Sequence, residues 1–167
     1  YSLFGFFFFS GGLSALLVLR DNSFYNYLDM PFVSVNMCPL ILWLLLLCTW
    51  ASDTFAYFAG RSFGKRKIVP TISPNKTLEG FVGGFIGCIA TGIVYAAIMN
   101  LPIQVGFIIA LLVGIFAPFG DLFESKIKRT CGVKDSGLLL PGHGGVLDRF
   151  DSLLFSAPVV YIYLLQL

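Results

Sequence analysis

Uncharged apolar runs long enough to cross a bilayer recur along this chain, and they constrain its fold more than any other feature. About 20 apolar residues span the hydrocarbon core as a helix. Tyr1–Leu19, Gly80–Met99 and Ile103–Phe119 contain no Asp, Glu, Lys or Arg. Phe32–Gly60 contains only Asp53, after the dense apolar stretch Leu40–Trp50, and Leu153–Leu167 begins a further uncharged run. The expected fold class is all-α: a polytopic transmembrane helical bundle with about five spans, in a single domain covering residues 1–167.

Composition agrees. The chain is 57% hydrophobic and 12% charged, where a soluble domain carries about 25% charged residues. That apolar excess is too large for one small soluble core. Tyr1 and Leu167 both lie inside apolar runs, as expected of a C-terminal piece of a longer chain. The first run has no basic segment before it and no small-residue cleavage site, so it reads as a span and not as a signal peptide. Cys38, Cys48, Cys88 and Cys131 form no CxxC pair, and they read as small buried hydrophobes.

The net charge of +2 matters less than its placement. The segment 61–79 carries Arg61, Lys65, Arg66, Lys67 and Lys76; the segment 120–152 carries Lys126, Lys128, Arg129, Lys134 and Arg149. The other connections carry only Arg20. Gly80–Met99 and Ile103–Phe119, joined by the turn Asn100-Leu101-Pro102, form a hairpin, so both basic segments face one side. By the positive-inside rule that side is the cytoplasm. Topology alone does not explain why acids accompany the bases. Residues 120–152 hold five acidic and five basic side chains and the only histidine.

Several motifs suit a site where carboxylates hold a metal and cations hold phosphates. Asp53 lies near the cytoplasmic end of an apolar run, where a carboxylate is costly and marks a functional position. In Ser73-Pro74-Asn75-Lys76-Thr77-Leu78-Glu79-Gly80, Pro74 favours an extended Ser73. Asn75 or Thr77 can cap the next helix, with Glu79 in its first turn. Lys76 there opposes the helix dipole and calls for an anion nearby. Asp121, Glu124, Ser125 and Lys128 share one helical face, and Lys128-Arg129 adds two adjacent cations, with Lys134 beyond a turn at Gly132. Pro141-Gly142-His143-Gly144-Gly145 is a loop whose glycines permit close backbone approach to a ligand, and its N–H groups could form an anion nest. Asp148 and Asp151, at i and i+3, offer oxygen ligands suited to Mg²⁺.

The run from Ser125 through Lys128-Arg129, Lys134-Asp135-Ser136-Gly137 and Pro141-Gly142-His143-Gly144-Gly145-Val146-Leu147-Asp148-Arg149-Phe150-Asp151 resembles the signature of the phosphatidate cytidylyltransferases, or CDP-diacylglycerol synthases. Ser52-Asp53-Thr54 and the Ser73–Gly80 segment resemble that family's other marked segments. The resemblance covers residues 50–152. It implies attack of a phosphatidate oxygen on the α-phosphorus of CTP, with pyrophosphate leaving. It implies Mg²⁺, a second metal ion being left open, and a membrane-embedded homodimer, with the site on the cytoplasmic face of a bacterial inner membrane. Asp121, Lys128, Arg129, Asp148 and Asp151 then stand as catalytic residues, with Asp121, Asp148 and Asp151 as metal ligands. Asp53, Lys76, Ser125, Lys134, His143, Gly144, Gly145 and Arg149 stand as substrate-binding. The implied partners are CTP, phosphatidate and membrane lipid, and no nucleic acid.

Because the nucleophile is an anionic phosphate, no strong general base is required, which weakens the case for His143 as one. The nearest enzymatic rival is a CTP-using lipid or polyprenol kinase, which transfers the γ-phosphate. A transporter would spread ionisable residues through several spans, whereas here only Asp53 qualifies.

Overall fold

The computed structural model describes residues 2–20, 37–70, 73–133 and 147–167. Apolar runs become helices because a backbone in lipid must satisfy its own hydrogen bonds. Among the described residues the elements are α1 (Ser2–Arg20), α2 (Met37–Phe63), β1 (Lys67–Val69), β2 (Ser73–Thr77), α3 (Leu78–Ile98), α4 (Ile103–Thr130) and α5 (Leu147–Leu164). Pro39–Phe63, α3 and α4 are long and apolar enough to cross a membrane; α1 and α5 contribute the shorter apolar stretches Ser10–Arg20 and Phe150–Leu164.

Two boundaries differ from the expectation. The fourth span does not stop at Phe119, because α4 runs on to Thr130. The apolar run ends at Phe119, but the helix continues without a break into the face shared by Asp121 and Lys128, with Gly120 and Glu124 buried. The segment 61–79 is not a plain loop either. It contains the end of α2, the antiparallel hairpin β1–β2, with Lys67 opposite Thr77 and Val69 opposite Ser73, and the start of α3.

Glycine sets how closely the helices approach. A β-carbon added at Gly84 of α3 would lie 2.6 Å from the Ser52 carbonyl oxygen of α2, and one at Gly80 would lie 2.8 Å from that of Ala56. Small residues at such seams let membrane helices pack backbone to backbone. α3 therefore lies antiparallel against α2, then turns into α4 through Asn100, whose φ of 54° is left-handed and is tolerated by Asn. α4 packs against α3 and α5, and α1 lies on α5 and touches α2. Leu19, Leu44, Leu45, Cys88, Ile109, Val113, Val160 and Leu164 are fully buried in one cluster drawn from all five helices. Trp43, Phe58, Ile86, Ile98 and Phe119 face outward, as a surface solvated by lipid requires.

Candidate active site

Asp53 of α2, Lys76 of β2, Asp121, Glu124 and Lys128 of α4 and Asp151 of α5 converge at one end of the bundle. The α2–α3 seam buries Ser52, and Asp53, one residue further round α2, is exposed. It lies within electrostatic reach of Lys76, Asp121 and Asp151.

Lys76 arrives from the hairpin, which is anchored at its base. The Leu78 N–H donates to the Arg66 carbonyl at 2.8 Å. Glu79 Oε2 accepts from the backbone N–H groups of Lys65 and Arg66, at 3.0 and 3.2 Å. Thr77 Oγ1 accepts from the Gly80 N–H at 3.2 Å and caps α3. With both strand ends held, Lys76 Nζ forms an ion pair with Asp121 Oδ2 of α4. The anion that a lysine beside a helix N-terminus calls for is, in this structure, the Asp121 carboxylate.

Asp121, Glu124, Ser125 and Lys128 share one face of α4. Ser125 Oγ donates to Asp121 Oδ1 at 3.4 Å, and Lys128 Nζ lies 3.4 Å from Glu124 Oε2. Asp151 reaches the cluster because Gly120 brings α4 against α5. A β-carbon at Gly120 would stand 2.8 Å from the Asp151 carbonyl oxygen. Asp151 is buried, and its Oδ1 accepts from the Ser152 N–H at 2.6 Å. Its carboxyl group interacts electrostatically with Glu124 and feels the charge of Asp121.

Of the residues singled out by sequence, Asp53, Lys76, Asp121, Ser125, Lys128 and Asp151 are thus brought together. Arg129 is exposed near the end of α4, a helical step of about 100° round from Lys128. Asp148 and Arg149 lie in the first turn of α5, with their side chains outside the described residues. Lys134, His143, Gly144 and Gly145 also lie outside the described residues. Two roles were missed. Glu79, read as a dipole-complementing acid, grips the hairpin backbone. Glu124, read only as one member of a helical face, is 3% exposed beside Lys128 and Asp151. Its spacing of i+3 from Asp121 and i−4 from Lys128 was the available signal.

Among the described residues no three His, Cys, Asp or Glu side chains group closely enough to enclose an ion unaided. Mg²⁺ does not require such a cage, since it is usually held by one or two carboxylates together with waters and substrate phosphates. Asp121 of α4 and Asp151 of α5, carboxylates within electrostatic reach of each other, fit that demand.

Comparison with known proteins places the chain in a family. The family model described as "Cytidylyltransferase family" matches residues 2–167. The chain is 50% identical over 126 residues to a protein of Thermotoga maritima named phosphatidate cytidylyltransferase, a match covering 71% of this chain and 47% of that protein. It is 50% identical over 117 residues to one of the same name from Bacillus subtilis, covering 69% and 44%. A third, from Staphylococcus haemolyticus, is 50% identical over 123 residues, covering 72% and 47%. The chain spans about half the length of the curated relatives it matches. With a family match along nearly its whole length, the chain belongs to the cytidylyltransferase family.

Proposed function

We propose that the full-length protein transfers the cytidylyl group of CTP to phosphatidate, giving CDP-diacylglycerol and pyrophosphate. The observation that carries this reading is the meeting of Lys76 and Lys128 with Asp53, Asp121 and Asp151 at one end of an otherwise apolar bundle. Two polyanionic reactants need cations to come together, and a lipid reactant needs its head group brought to a polar site at a membrane surface. The relatives' shared name supplies the reaction.

In this reading a phosphatidate oxygen forms a bond to the α-phosphorus of CTP as the bond to the pyrophosphate oxygen breaks. Lys76, Lys128 and Arg129 bind and orient phosphate oxygens, with Lys134, Arg149 and the loop of His143, Gly144 and Gly145 supplying further donors. Positioning and charge stabilisation do most of the work in phosphoryl chemistry of this kind. Asp121, Asp148 and Asp151 would hold Mg²⁺, which when bound neutralises charge on the transferring and leaving phosphates. Ser125 and Asp53 keep Asp121 and the cations in place. The site belongs on the cytoplasmic face, on the charge asymmetry of the connecting segments. The family resemblance further supports a homodimer, which chemical crosslinking in membranes checks.

The test uses membranes containing the full-length protein, phosphatidate and CTP labelled at the α- or the γ-phosphate. The reading expects α-label in a lipid product, dependent on Mg²⁺ and lost in Asp148→Asn. Transfer of γ-label instead would move the protein to the kinase class. No label in lipid from folded protein would remove the reading.

A further inference from the structure

We propose that Glu124 is a positioning residue: its buried carboxylate holds the Lys128 ammonium inward at the α4–α5 seam, where it can meet a substrate phosphate. The inference rests on the cytidylyltransferase reading and adds a residue that the signature comparison did not assign. Glu124 is 3% exposed, and its Oε2 lies 3.4 Å from Lys128 Nζ. A carboxylate so deeply buried is tolerated only when paired. Asp151, 8% exposed on α5, interacts with it, and two adjacent carboxylates repel each other unless a cation or a shared proton offsets their charge.

Lys128 is the cation in reach. Its side chain is only 18% exposed, although it stands near the end of α4, where a free lysine extends toward water. Arg129, the next residue, is exposed. Burial thus separates two cations that the sequence presents together, and the feature selecting Lys128 is the acid one turn earlier on α4. A Glu four residues before a Lys is the favourable order for such a pair. Glu124 therefore acts through Lys128: it sets where the charge stands and need not touch the nucleotide.

A double-mutant cycle tests this in the full-length protein, with equilibrium binding of labelled CTP as the primary measurement and turnover and thermal unfolding beside it. Glu124→Gln keeps the shape and removes the charge. It should weaken CTP binding roughly tenfold in the wild-type background, and by less than about twofold once Lys128→Gln is present, since directly coupled residues are non-additive. Rescue by Glu124→Asp should be partial, because the shorter acid keeps the charge but draws it back from Lys128. A structural role alone predicts equal losses in both backgrounds, alongside a lowered unfolding temperature, and that result overturns the proposal while leaving wild-type turnover intact. Should Glu124→Gln not accumulate as folded protein, Glu124→Asp carries the same cycle with the same criterion. Wild-type protein that neither binds CTP nor transfers label would overturn both this role and the function on which it rests.

Discussion

Gly120→Ala tests whether the site depends on how closely two helices approach. The new methyl group would stand 2.6 Å from Cβ of Phe155 and 2.8 Å from the Asp151 carbonyl oxygen. Ordinary contact begins at 3.4 Å, so α4 and α5 must part by somewhat under ~1 Å, or Phe155 must leave its rotamer. Overpacking of this kind costs about 1–3 kcal/mol. The functional effect should exceed the stability effect, because Asp151 rides on the displaced helix while Asp121 and Glu124 stay on α4. A misplacement of about 1 Å is worth on the order of 10²-fold in rate. The assay is α-label transfer from CTP to lipid by full-length protein, normalised to the folded fraction from thermal unfolding. Gly11→Ala serves as control, since an added β-carbon there meets nothing within 4 Å, and it should be silent. Wild-type turnover and unfolding temperature in Gly120→Ala would refute the argument outright. Lowered stability with unchanged turnover per folded molecule would refute its second half, the link between the seam and the site.

Lys76→Gln removes the ion pair with Asp121 and a phosphate-binding cation; turnover should fall by roughly 10²-fold, with Lys76→Arg recovering part of it. Thr77→Ala deletes the α3 cap and should cost about 1 kcal/mol of stability, which Thr77→Ser largely restores in thermal unfolding. Glu79→Gln should weaken the two backbone hydrogen bonds at the hairpin base, seen as faster hydrogen exchange at the Lys65 and Arg66 amides; unchanged exchange would show that the hairpin holds itself. Chelation should abolish label transfer and added Mg²⁺ should restore it, while turnover that survives chelation would remove the metal role of Asp121, Asp148 and Asp151.

Much of the fold was legible because its signals are local. Helical spans follow from uncharged length, and the face shared by Asp121, Ser125 and Lys128 follows from a period of 3.6 residues. A cap at Asn75 or Thr77 follows from a polar side chain before an apolar run, and the structure selects Thr77. Other features were not legible because they join elements far apart in the chain. Nothing near Lys76 names Asp121 as its partner, and nothing near Glu79 names the amides of Lys65 and Arg66. The end of the fourth span was misplaced for a different reason. Hydropathy stops at Phe119, but α4 runs on without a break into the helical face that the spacing of Asp121 to Lys128 marks, with Gly120 and Glu124 buried.

The sequence by itself determined the class of environment, the helical spans, the side on which charge collects and the residue types available for chemistry. Those follow from solvation, which each segment settles without reference to the others. The tertiary structure decided which of those residues meet. Glycine seams bring α2 to α3 and α4 to α5 at backbone distance, the second of them bringing Asp151 to Glu124, while the anchored hairpin carries Lys76 to Asp121. Lys128 is left partly buried while Arg129 stays exposed. Such choices depend on helix-to-helix approach at the scale of an ångström, a quantity that belongs to the packed bundle and to no single segment of the chain.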